Sequence, residues 1–107
     1  MLTFNLKKQW FEKIKSGEKT HEYREVKPYW TKRLANFLDL QVEDFKVLEY
    51  STLLLNDYPY FCFRLAYTSE YLEAYIIAIS KINGKNTDLA IDKDVYDIAF
   101  KLVQEVE

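Results

Sequence analysis

The sequence predicts an α+β fold in which two N-terminal helices pack on a strongly curved sheet or small barrel. Three observations carry this. Hydrophobic spacing runs strand, helix, strand, helix over the first third and then reads mainly as strands. Sixteen Tyr and Phe residues enrich the chain in strand formers. A length of 107 residues with 49% hydrophobic content suits one domain, residues 1–107, with a core of its own.

The elements follow in order. In residues 2–6, Leu2, Phe4 and Leu6 alternate with polar residues, as in a short strand. Residues 7–16 switch to helical spacing, with Trp10, Phe11 and Ile14 on an apolar stripe and lysines opposite. Gly17 stands where a left-handed C-cap belongs, after lysines that suit the negative end of the helix dipole. Residues 19–26 read as a second strand. Pro28 starts a second helix over 28–38, with Trp30, Leu34, Phe37 and Leu38 facing inward. Both tryptophans are expected in the core. Residues 40–44 read as a polar connector.

Residues 45–55 and 60–68 are expected as strands separated by the turn cluster Asn56-Asp57-Tyr58-Pro59. Residues 70–82 form another, closed by Asn83-Gly84, the dipeptide favoured in a tight hairpin, with 87–91 as its partner. Residues 95–106 fit a strand and a helix equally by periodicity.

Composition removes several function classes. Two glycines, Gly17 and Gly84, are too few for a phosphate-binding loop or a dinucleotide fingerprint. One cysteine, Cys62, and one histidine, His21, exclude a disulfide framework and a Cys/His zinc site. No metal or cofactor is expected. No apolar run reaches the ~18 residues of a spanning helix, so no membrane partner is expected. The N-terminal residues lack a signal-peptide layout, which points to the cytoplasm. The net charge of −2 argues against nonspecific coating of nucleic acid. It is unevenly spread: residues 1–35 carry nine Lys/Arg against four Asp/Glu, and the remainder six against thirteen. A local basic face from the first third is compatible with this.

The densest polar cluster is Gly17-Glu18-Lys19-Thr20-His21-Glu22-Tyr23-Arg24. Strand geometry puts Glu22 and Arg24 on one face, about 7 Å apart, and Lys19 lies at the mouth of the turn. Two cationic donors beside one acceptor suit a polar heterocycle better than bare phosphate. An ion pair on a solvated strand face is the plainer alternative, worth ~0–1 kcal/mol.

Gly17-x-Lys19-x-x-Glu22-x-Arg24, preceded by Ile14-Lys15-Ser16 and followed by residues 25–30, EVKPYW, resembles the G-x-K-x-x-E-x-R signature of the ASCH domain family. That family belongs to the PUA-like superfamily, and this chain looks like its small bacterial and phage members. The resemblance covers residues 1–38 and implies a PUA-like small curved β-barrel flanked by helices. It also implies a cleft lined by the signature residues that binds RNA or a nucleotide-like small molecule. Lys19 and Arg24 would donate to phosphate or base, Glu22 would accept from an exocyclic amine or orient Arg24, and Thr20 and Tyr23 would line the rim or brace the strand. One branch of the family hydrolyses N-acetylated cytidine, using the signature lysine to activate a threonine with help from a second glutamate. Glu22 occupies that threonine's position here, and only Glu70 and Glu73 match the second glutamate by residue type. In this alternative, an amidohydrolase on a modified nucleoside, Lys19 and Glu22 are the catalytic candidates. A protein-interaction module is a third reading, and it requires an exposed apolar patch that the sequence does not locate.

His21 has the opposite strand parity to Glu22 and Arg24, so it is expected to face away from the cleft. Tyr58, Tyr60, Phe61, Phe63, Tyr67, Tyr71 and Tyr75 divide between core and stacking surface in proportions the sequence leaves open. Asp88, Asp92, Asp94 and Asp97 are expected as a solvated acidic face.

Overall fold

A computed structural model of the chain describes residues 2–46, 52–54 and 58–103. It is an α+β structure with a curled, half-barrel sheet. Strand β1 (Thr3–Leu6) leads into helix α1 (Lys8–Lys15), strand β2 (His21–Glu25), helix α2 (Pro28–Phe37) and the short helix α3 (Val42–Lys46). Four further strands follow: β3 (Thr52–Leu54), β4 (Tyr60–Leu65), β5 (Tyr71–Asn83) and β6 (Asp94–Leu102). Sheet order is β1-β4-β5-β6-β2, with β3 pairing the far half of β5. β1 and β4 are parallel and the other pairs antiparallel. The long β5 bends at a register shift between Ile76 and Ala78, the device that curls a sheet locally.

The order leaves β1 and β2 as the two ends of the sheet, and the open seam between them is where the site forms. The core inside the curl is aromatic: Phe4, Phe61, Phe63 and Phe100 contact one another with centroids 4.7–6.2 Å apart. Burial of each phenyl stabilises the fold by ~1.5–3 kcal/mol. Phe11 and Ile14 of α1 and Leu34 and Ala35 of α2 add their fully buried faces. Thr31 Oγ1 meets the Tyr96 hydroxyl at 2.5 Å, so two polar groups inside this core satisfy each other.

Gly17 ends α1 with φ +85, a conformation costly for a side chain, and lets the Lys19 N–H return to the Lys13 carbonyl at 3.0 Å. That turn aims the chain from α1 into β2.

Three expectations need correction. Residues 42–46 are helical rather than connector and strand, because Val42 and Phe45, three apart, share one helix face, and Phe45 is fully buried against the Tyr96 ring at 5.4 Å. Of the expected strand 45–55, only Thr52–Leu54 is a strand among the described residues. Asn83-Gly84 does not make a two-residue hairpin: Gly84–Asn86 is a 3-10 turn and Asn83 pairs with Asp94. Residues 87–91 are therefore loop, and the partner of β5 is β6. Here Gly84 is required sterically, since a Cβ would lie 2.6 Å from Val95 Cγ1. The segment with ambiguous periodicity is strand over Asp94–Leu102, because β5 and β2 both hydrogen-bond it. Asn56 and Asp57 of the expected turn, and residues 104–106, lie outside the described residues. No helix among the described residues is long and apolar enough to cross a membrane.

Candidate functional site

A cleft of about 430 Å³ occupies the seam. The end of β1 (Asn5, Leu6) and Lys7 form one wall, and Glu22–Glu25 of β2 form the other. Trp10 of α1, Trp30 of α2 and the loop residues Asp88, Leu89 and Ile91 close the remaining sides. Lys19, Glu22, Tyr23 and Arg24 all line it.

Glu22 is the hub. It is 5% exposed, deep enough that its charge needs partners. Oε1 accepts the Tyr23 N–H at 3.0 Å and lies 3.4 Å from Lys19 Nζ, while Oε2 accepts from Arg24 Nη2 at 3.1 Å. Both carboxylate oxygens are thus engaged within the protein. Of the two roles implied for Glu22, the geometry favours orienting Arg24 over accepting from a ligand.

Arg24 lies between two aromatic faces, its guanidinium carbon 4.9 Å from the Phe4 centroid and 4.8 Å from that of Trp30. Stacking and the Glu22 bond hold the guanidinium plane in place. Its Nε is buried without a hydrogen-bond partner among the described residues, a donor left over in the cleft wall. Lys19 is boxed in similarly. Its ammonium lies 5.2 Å from the Trp10 centroid and 5.1 Å from that of Tyr23, with Glu22 on one side and a direct ion pair to Asp88 on another. Burial, reinforced by Asp97, Asp88 and Glu22, pushes the Tyr23 phenol above its ordinary pKa, so it stays protonated well into alkaline solution.

The ionisable lining balances closely, with Lys7, Lys19, Arg24 and Lys27 against Glu22, Glu25 and Asp88. One surplus positive charge, aromatic walls and several N–H donors fit a flat, acceptor-bearing and nearly uncharged ligand better than a polyanion.

Several placements expected from the sequence change. Trp10 and Trp30 pack against the core but are only half-buried, and each also forms a wall of the cleft beside a cation. Thr20 is exposed and lines an adjoining hollow with Lys19, Tyr23 and Asp88 rather than the main cleft, and it braces the strand, its carbonyl accepting the Phe100 N–H at 3.2 Å. Gly17 shapes the turn and does not line the cleft. Of the four aspartates, Asp88 and Asp92 are exposed and Asp94 and Asp97 half-buried; Asp88 holds Lys19, Asp92 holds Asn83, and Asp97 holds His21 Nδ1 at 2.6 Å. His21 does not line the main cleft, as expected, but lies in the adjoining hollow with its ring stacked 6.4 Å from that of Tyr23. Glu70 pairs with Lys15 at 3.5 Å. Glu73 lines a separate hollow with Tyr60 and the buried Cys62, so neither glutamate reaches Lys19. Phe61 and Phe63 are core, whereas Tyr58, Tyr67 and Tyr71 are exposed.

Asp88 is the site residue that the sequence hid. It lies 69 positions from Lys19, in a segment expected to be strand, and no local pattern links the two. Compared with known proteins, the chain matches no protein-family model and no curated protein.

Proposed function

We propose that the chain is an ASCH-type, PUA-like module that binds RNA, or a nucleotide-like ligand, by taking a base into the seam cleft. One observation carries the reading. The signature residues Lys19, Glu22 and Arg24 line a single cleft whose walls are the rings of Trp10, Tyr23 and Trp30. The aromatic walls offer a base apolar contact beside the cations that already lie against the rings. Arg24 and Lys19 supply donors for its carbonyl and ring-nitrogen acceptors. Glu22 keeps both cations aimed inward.

Binding of labelled single-stranded RNA by fluorescence anisotropy tests this. Arg24→Ala is expected to weaken binding at least about tenfold, the loss of one charge-assisted bond plus stacking. The log–log salt slope is expected near −1 to −2, which corresponds to roughly two phosphate contacts. Equal binding by wild type and Arg24→Ala, or a slope steeper than about −5, overturns the proposal.

A second reading, hydrolysis of an N-acetylated cytidine, is favoured by one feature: carboxylates flank Lys19 on two sides. The Glu22 carboxylate would take the proton from the attacking water and the Lys19 ammonium would give one to the leaving amine, so that acetate and cytidine are released. With Thr20 outside the main cleft, water is the nucleophile in this reading. Release of cytidine from N-acetylated cytidine, abolished in Lys19→Met, is its expected signature. No release removes it.

A further inference from the structure

We propose that Asp88 is an internal ligand: its carboxylate occupies an oxyanion site formed at Lys19. While it stays there the cleft takes uncharged acceptors, and a phosphate or carboxylate group enters only where Asp88 has left. The Lys19 side chain is 8% exposed, so water has little access to its ammonium. Rings cover two sides and Glu22 a third, and Asp88 fills a direction from which a ligand's anionic group would approach.

The two carboxylates on Lys19 are not equivalent. Glu22 is built into β2 and spends both oxygens on the strand and on Arg24, so it cannot leave without unpairing a second cation. Asp88 is 35% exposed, projects from a loop, and among the described residues is tied to the cleft through Lys19. The loop is braced elsewhere: the Gly84 carbonyl accepts from Thr87 Oγ1 and the Ile91 N–H, and Asp92 accepts from Asn83. The carboxylate can therefore swing away without unmaking the loop.

This oxyanion site lies in the cleft of the nucleotide reading and rests on that reading for its place, but its test uses inorganic phosphate and so fails or succeeds separately from RNA binding. The chain's two tryptophans both line the cleft, so intrinsic fluorescence reports its occupancy. Inorganic phosphate is titrated at constant ionic strength into wild type, Asp88→Asn, Asp88→Ser and Asp92→Asn. Both Asp88 variants are expected to bind at least about tenfold tighter than wild type, the scale of one charge-assisted contact. Asp92→Asn makes the same change in net charge but touches Asn83, and it is expected to match wild type. Adding Lys19→Met to Asp88→Asn is expected to abolish the gain. Equal affinities for wild type and the folded Asp88 variant, including no binding by either, overturn the inference. So does an equal gain in Asp92→Asn, or a gain that survives loss of Lys19. Cytidine monophosphate in place of phosphate distinguishes the source of the oxyanion: a larger Asp88→Asn gain assigns a nucleotide, and an equal gain assigns the oxyanion alone.

Discussion

Replacing Glu22 with Gln removes one charge while keeping the shape of the side chain and an amide oxygen to accept the Tyr23 N–H. What it loses is attraction to Lys19 at 3.4 Å and to Arg24 at 3.1 Å. At an effective dielectric of about 20, each such pair is worth roughly 5 kcal/mol before compensation. Compensation is partial. Lys19 keeps Asp88, and Arg24 keeps the faces of Phe4 and Trp30. Breaking a buried pair from one side typically costs ~3–5 kcal/mol, and the remaining partners place this case near the lower end, at about 3 kcal/mol. In urea the midpoint should fall with the m-value unchanged, and Tm should drop by roughly 12–24 °C for a domain of this size. Removing the orphaned cation as well, in Glu22→Gln/Arg24→Met, should cost less than the sum of the two single changes. A Glu22→Gln loss below ~1 kcal/mol, the value of a surface pair, would refute the assignment of Glu22 as a buried hub.

Tyr96 supplies a pH prediction. Burial raises its phenol above the ordinary value of 10.0, and the Thr31 bond only partly opposes this. The folded state therefore holds this proton longer than the unfolded chain, so its contribution to stability is complete below about pH 10 and lost as pH rises further. Tyr96→Phe should cost ~1 kcal/mol or more at pH 7 by orphaning the Thr31 hydroxyl, and the gap to wild type should narrow by about pH 11. A gap that stays constant in urea melts across that range contradicts this. The two glycines should separate by mechanism. Gly84→Ala drives a Cβ to 2.6 Å from Val95 Cγ1 and should destabilise by ~2–3 kcal/mol, as overpacking does. Gly17→Ala meets open space and should cost ~1 kcal/mol, from its φ of +85 alone. Equal losses for the two in denaturant titrations would contradict that separation.

Local signals carried the reading of the sequence well where the structure is local. Leu2, Phe4 and Leu6 alternate into the core, Phe11 and Ile14 fall on one helix face, and Gly17 takes the left-handed cap that its position indicated. Glu22 and Arg24 are two residues apart on one strand, so their shared face followed from backbone geometry. Failures began where distant partners decide. Phe45 heads a segment that reads as strand, yet it lies on a short helix with its ring against Tyr96. The Asn83-Gly84 dipeptide yields to a longer loop because Asn83 itself pairs with Asp94 and Gly84 is bonded to Lys93 and Ile91. An apolar stripe does not show which of its members also face a cleft, so Trp10 and Trp30 read as core alone. The Asp88–Lys19 pair is created by the fold and has no trace in local spacing.

Entry of a base into the seam between β1 and β2 is the central claim, and the indole N–H signals test it most directly. Trp10 and Trp30 give the two tryptophan side-chain peaks in a 1H–15N spectrum, and both residues line the cleft. On titration with single-stranded RNA, both indole peaks and the Tyr23 amide are expected to move together and saturate. The amide of Tyr67, fully exposed and outside the cleft, is expected to stay in place. Stationary indoles at saturating RNA, or shifts confined to residues away from the seam, would contradict the claim.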